Sequence, residues 1–164
     1  MKRKLFIIRH AKSSWKHPEL DDFDRPLNSR GKRDAPEMGQ RLRKRGVSPD
    51  IIVSSPAVRA TKTAKIIAEA IGYPKAEIEF ENSFYASDVR QLLKKIKAFD
   101  DGCKEAMIFG HNPEFTSLAN VLTKHYIDNI PTCGVCCVEF DLPWNEVDEN
   151  TGELVFFDYP KKLG

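Results

Sequence analysis

Leu5-Phe6-Ile7-Ile8-Arg9-His10 is a short, unbroken apolar run that stops at a cation and a titratable ring. A continuous run of this length reads as a strand covered on both faces, the pattern of a parallel sheet, with Arg9 and His10 at its carboxyl end. The pattern recurs in Asp50-Ile51-Ile52-Val53-Ser54 and in Ala106-Met107-Ile108-Phe109-Gly110. Ala76 to Phe80 alternates more weakly, and Gly134 to Asp141 and Leu154 to Tyr159 read as two further strands, rich in β-branched and aromatic residues.

Four helical patterns lie between these runs. The first puts Ala35, Met38 and Leu42 on one face and stops at Gly46, with Pro36 inside it obscuring its start. The second runs from Pro56 to Ile71, with Ala57, Ala60, Ala64, Ile67, Ala68 and Ile71 at helical spacing and Gly72 as its stop. The third carries Val89, Leu92, Leu93, Ile96 and Phe99 behind a Ser87 cap; the fourth starts at Asn112-Pro113 and carries Phe115, Leu118, Ala119 and Leu122. Strands alternating with helices imply an α/β fold, a three-layer sandwich whose mostly parallel central sheet has helices on both faces.

Composition bounds the rest. The 164 residues are 41% hydrophobic and 30% charged, which fits one compact domain over residues 1–164. A net charge of +2, from 26 Lys and Arg against 24 Asp and Glu, gives no bulk reason to expect nucleic acid or an anionic membrane as partner. The basic Met1-Lys2-Arg3-Lys4 is followed by only four apolar residues, short of the ~7–15 of a signal core. No stretch reaches the ~18 apolar residues of a membrane span. The expectation is a cytoplasmic protein in which Cys103, Cys133, Cys136 and Cys137 stay reduced.

In sheets of this kind, ligands bind outside the carboxyl ends of the strands. Three such ends carry chemistry: Arg9-His10; Ser54-Ser55-Pro56 with Arg59; and Gly110-His111-Asn112-Pro113. In the last two, a capping residue, Ser55 or Asn112, precedes a proline expected at the first helical position, so free N–H groups and a positive dipole end face the rim. A long side chain at Arg59, one turn into its helix, angles back toward the same point. Guanidinium forks hold phosphoryl oxygens, a second histidine adds charge, and a neutral imidazole near two arginines is a nucleophile. His10 is then the nucleophile, its other ring nitrogen fixed by a backbone carbonyl, with Arg9, Arg59 and His111 as the phosphate grip. His17 and His125 lie outside the rim and read as structural or solvent-facing.

Arg9-His10-Ala11, Asp24-Arg25-Pro26-Leu27 with Gly31, Ser54-Ser55-Pro56 with Arg59 and Thr63, and Gly110-His111-Asn112-Pro113 together resemble the histidine phosphatase superfamily, the phosphoglycerate mutase-like fold. Within it, the short length, Arg9-His10-Ala11-Lys12-Ser13-Ser14-Trp15 and Arg25-Pro26-Leu27-Asn28 are most similar to SixA-type phosphohistidine phosphatases. The resemblance implies His10 as the phosphorylated nucleophile in a pocket of Arg9, Arg59 and His111, with no metal and no cofactor. Ala11 stands where many members have Gly. The acid motif of larger members finds no match; Glu81 is the best placed general acid, ahead of Glu79 and Asp88.

A site without a dedicated acid favours phosphohistidine, because a leaving imidazole can be protonated by solvent whereas an alkoxide needs a positioned donor. The expected partner is therefore a phosphorylated protein, such as a histidine phosphotransfer domain. The alternative on the same scaffold is a small phosphorylated metabolite, handled by a broad phosphomonoesterase or a phosphoglycerate mutase-like enzyme. Two readings of another class remain: an inactive phosphate-binding module, and a metal-binding module on Cys133, Cys136, Cys137 and Cys103, with His111 as an optional further ligand. The second has only one Cys-x-x-Cys knuckle, and adjacent Cys136 and Cys137 should face opposite sides of a strand. Lys12, Ser13, Trp15, Lys16 and Arg25 follow the nucleophile closely enough to border an entrance.

Overall fold

The computed structural model describes residues 1–162. Six strands form one sheet: β1 (Arg3–Arg9), β2 (Ile51–Ser54), β3 (Glu79–Phe80), β4 (Glu105–Gly110), β5 (Val135–Phe140) and β6 (Gly152–Asp158), in the order β3-β2-β4-β1-β5-β6. The pairs β3·β2, β2·β4 and β4·β1 are parallel, and β1·β5 and β5·β6 are antiparallel. The sheet is thus mostly parallel with an antiparallel flank. The weakly alternating Ala76–Phe80 run keeps only two strand residues, because Lys75–Glu77 winds into a 3-10 turn.

Helices α1 (Ser29–Lys44), α2 (Val58–Ile71), α3 (Val89–Lys97) and α4 (Glu114–Leu122) cover the sheet. On one face Ala35, Met38, Leu42, Ala64, Ile67 and Ala68 pack with Phe6, Ile8, Ile52, Met107 and Phe109. On the other, Leu92, Ile96, Phe115, Leu118 and Leu122 pack with Leu5, Ile7, Val53, Ala106 and Ile108. Alternate residues of β1 therefore feed opposite layers, as a pleated strand requires. Cys136 and Cys137 do the same in β5, one in each core. All four cysteines are buried and unpaired, and among the described residues no three His, Cys, Asp or Glu side chains converge as metal ligands. No described helix is long and apolar enough to cross a membrane.

Helix starts differ from the sequence expectation in instructive ways. α1 begins well before Pro36, with Asn28 accepting from the Gly31 N–H at 2.9 Å. Pro36 is exposed, so the N–H that the helix lacks there falls on its solvent-facing side. α2 starts at Val58, two residues beyond Pro56, and Pro113 is the N-cap of α4 rather than its first residue. The cap of α3 is Asp88, not Ser87, and it forms a reciprocal box with Gln91.

Candidate active site

The site is assembled at the carboxyl ends of β1, β2 and β4. The His10 N–H donates to the Gly110 carbonyl at 3.1 Å, extending the β1·β4 register one residue past the strand. The turn that follows is bolted to α2: the Ala11 N–H donates to Thr63 Oγ1 at 2.9 Å, and that hydroxyl donates to the Arg59 carbonyl at 2.8 Å. It is also pressed by α1, since a Cβ on Gly31 would meet the Lys12 carbonyl oxygen at 2.2 Å. On the far side, a Cβ on Gly110 would strike the Phe115 ring at 2.4 Å, so that glycine lets α4 dock directly behind His111.

His10 is 7% exposed and its tautomer is fixed twice. Nδ1 lies 2.7 Å from the Ala11 carbonyl, an oxygen that can only accept, so Nδ1 carries the hydrogen. Nε2 receives the Arg59 Nε–H at 3.4 Å, a group that can only donate, so Nε2 presents a lone pair. The backbone acceptor expected from the sequence is thus the carbonyl of the next residue. Burial pushes the His10 ring down to about 3; the Ala11 bond opposes this, and His111, Arg59 and Arg9 add to it. Desolvation, more than the two arginines, keeps this ring neutral.

His111 stands beside it with ring centroids 5.1 Å apart. Its Nε2 is 2.8 Å from Ser55 Oγ, which already accepts from the Ala57 N–H at 3.2 Å. With the serine hydroxyl donating to that nitrogen, the ring hydrogen sits on Nδ1. That Nδ1 is buried without a protein partner, and so is Arg9 Nε, although Arg9 Nη1 donates to the Ile130 carbonyl at 3.0 Å. In that tautomer Arg9 Nε and His111 Nδ1 are two buried donors without a protein partner, which is what a phosphoryl oxygen needs. Burial, then Arg59, holds His111 down to about 4, with Asp22 opposing.

The structure thus brings together Arg9, His10, Arg59 and His111. Glu81 is elsewhere: its carboxylate accepts from Ser83 Oγ at 3.0 Å and faces Lys95 at 3.8 Å. Among the described residues, the carboxylate bonded to the four is Asp22, through Arg59 Nη2 at 3.0 Å. Sequence reading missed Asp22 and Tyr85, whose hydroxyl donates to Asp22 at 2.8 Å and whose ring meets His111 edge-on at 5.6 Å. It also named Ser55 only as a cap. Burial raises the Asp22 carboxyl, but hydrogen bonds from Tyr85 and Arg59 outweigh it and hold the group down to about 2. At the entrance, the Arg25 guanidinium lies 3.6 Å over the Trp15 ring, which is 74% exposed. His17 is exposed beside Glu19.

The family model of the histidine phosphatase superfamily (branch 1) matches residues 5–84. An uncharacterized chloroplastic protein of Arabidopsis thaliana is 32% identical over 155 residues, covering 88% of this chain and 70% of its own. An uncharacterized protein of Mycobacterium leprae is 28% identical over 166 residues, covering 94% of this chain and 100% of its own. Among solved structures, a candidate phosphohistidine phosphatase SixA from Agrobacterium tumefaciens superposes with a TM-score of 0.81 at 25% identity, over 96% of this chain and 98% of that one. The protein histidine phosphatase SixA complexed with tungstate gives 0.84 at 20% identity, over 96% and 97%, a likeness of fold alone.

Proposed function

The chain belongs to the histidine phosphatase superfamily, and on that premise we propose that it hydrolyses phosphohistidine on a protein through a phosphoryl intermediate on His10. The observation that carries the reading is the pair of bonds around His10, Nδ1 to the Ala11 carbonyl at 2.7 Å and Nε2 to Arg59 Nε at 3.4 Å, which leaves a neutral lone pair facing a cation. In the first step that lone pair forms a bond to phosphorus, the bond from phosphorus to the leaving nitrogen breaks, and the leaving imidazole departs with a proton from solvent. In the second, water attacks phosphorus, the bond to His10 Nε2 breaks, and inorganic phosphate leaves. Arg9, Arg59 and His111 hold the phosphoryl oxygens in both steps, where charge builds as phosphorus becomes five-coordinate.

The choice of leaving group rests on the acid. Asp22, the carboxylate bonded to this grip, is ionised down to about pH 2 and has no proton to give near neutrality. An alkoxide leaving group without a donor forgoes ~100- to 10,000-fold, whereas an imidazole is protonated in water near pH 7. A protein substrate is also suited to the exposed Trp15 stacked on Arg25, residue types that anchor protein contacts. The buried, unpaired cysteines fit a reducing compartment such as the cytoplasm.

The test compares turnover of a phosphohistidine-bearing phosphotransfer domain, an aryl phosphate and sugar phosphates, beside His10→Ala. Expected are fastest turnover of the phosphohistidine protein and no turnover by the variant. A sugar phosphate turned over faster than the phosphoprotein would sink the substrate assignment, and an active His10→Ala the nucleophile.

A further inference from the structure

We infer that Asp22 is the positioning residue for Arg59, fixing which edge of the guanidinium faces the phosphoryl group; the inference rests on the phosphatase reading above. A guanidinium offers two kinds of bidentate edge: the end, formed by Nη1 and Nη2, and the side, formed by Nε and one Nη. Asp22 occupies the end. Its backbone carbonyl accepts from Nη1 at 2.6 Å and its Oδ2 accepts from Nη2 at 3.0 Å. The side edge remains, with Nε 3.4 Å from His10 Nε2, where a phosphoryl group on that nitrogen would lie.

The clamp is itself clamped. Oδ2 of Asp22 also accepts from the Tyr85 hydroxyl at 2.8 Å, and Oδ1 accepts from Arg25 Nε at 3.1 Å. Arg25 Nη1 in turn donates to Ser13 Oγ at 2.8 Å, in the segment that follows the nucleophile. The Asp22–Asp24 turn leaves Asp22 exposed, and beside the packing of Phe23 edge-on against the Tyr85 ring at 5.1 Å these bonds hold the carboxylate in place. A carboxylate that merely competed with phosphate for Arg59 would sit on the edge facing His10. Asp22 sits on another edge and leaves that one free.

The test uses the full chain with inorganic phosphate as the probe. Phosphate affinity by calorimetry and steady-state kinetics on p-nitrophenyl phosphate are measured for the wild type, Asp22→Ala, Asp22→Asn and Tyr85→Phe, with melting temperatures alongside. Asp22→Ala is expected to lose about 10- to 100-fold in kcat/KM, the scale of a misplaced catalytic group, and to bind phosphate more weakly. Asp22→Asn keeps an acceptor oxygen for Arg59 and Tyr85 and should recover most of that loss, a rescue that a merely structural role would not show. Tyr85→Phe, which deletes one hydroxyl and leaves the turn's own bonds, should reproduce the loss in part. Phosphate binding by Asp22→Ala as tight as the wild type's or tighter, an Asn variant as impaired as the Ala variant, or a silent Tyr85→Phe would each overturn the assignment. Should the wild type bind phosphate without hydrolysing any ester, the phosphatase reading fails while the phosphate affinities still judge Asp22.

Discussion

Arg59 Nε donates to His10 Nε2 across 3.4 Å, so the cation that the proposed reaction sets against the phosphoryl group also holds the proposed nucleophile's nitrogen in its neutral, lone-pair form. Lysine keeps the charge at position 59 but has neither the planar fork nor an Nε–H beside the ring. Arg59→Lys is therefore expected to lower kcat/KM on p-nitrophenyl phosphate by about 100- to 1,000-fold, the range for removing one donor from a developing oxyanion. A variant within a few-fold of wild type would show that charge alone suffices.

The two site histidines make a pH prediction whose sign is fixed by burial. His10 is held down to about 3 and His111 to about 4, desolvation being the first cause for each. In the unfolded chain both rings bind protons near pH 6.5. As pH falls from about 7 toward 4, the unfolded state takes up protons that the folded state refuses, so folding stability declines over that window. Urea midpoints should fall progressively from pH 7 to pH 4. Long-range nitrogen NMR should show His10 protonated on Nδ1 and unchanged from pH 8 to pH 5; a ring titrating near 6.5 would refute the neutral nucleophile.

The parts of the site legible in sequence are those fixed by a strand end. Arg9-His10, Arg59 and Gly110-His111 each follow an apolar run whose period fixes where the chain leaves the sheet, and the sheet brings those exits together. Asp22 was illegible because Asp21, Asp22 and Asp24 crowd one exposed turn with no periodic face to tell which points inward. Tyr85 contacts Asp22 across 63 residues of chain, a pairing that no local pattern encodes. The antiparallel flank was hidden for a different reason: the runs from Gly134 to Asp141 and from Leu154 to Tyr159 read as strands, but direction is set by the connection, not by composition.

Thr63 gives a stability test that separates the scaffold from the chemistry. Its fully buried hydroxyl accepts from the Ala11 N–H and donates to the Arg59 carbonyl, tying the His10 turn to the helix that carries the arginine. Thr63→Val preserves shape and leaves the Ala11 N–H buried without an acceptor, at a cost of about 1–3 kcal/mol. Denaturant titration should register that loss, and kcat should fall with it because the His10 turn is no longer pinned. An unchanged midpoint would mean that the turn finds another acceptor.

Glu81 provides the converse. Sequence position alone offered it as a general acid, yet its backbone N–H is spent on the Ser54 carbonyl at 2.9 Å, and its carboxylate lies between Ser83 and Lys95. With Gln91 and Lys94 it lines a recess that includes none of Arg9, His10, Arg59 and His111. Loss of a working general acid costs ~100-fold or more on substrates with basic leaving groups. Glu81→Gln is expected to stay within about twofold of wild type on aryl and alkyl phosphates alike, far less than such a loss. The alkyl substrate decides the matter, because an aryl oxide leaves without help. A selective collapse of alkyl phosphate turnover in Glu81→Gln would return the acid to this residue and remove the ground for preferring a phosphohistidine substrate.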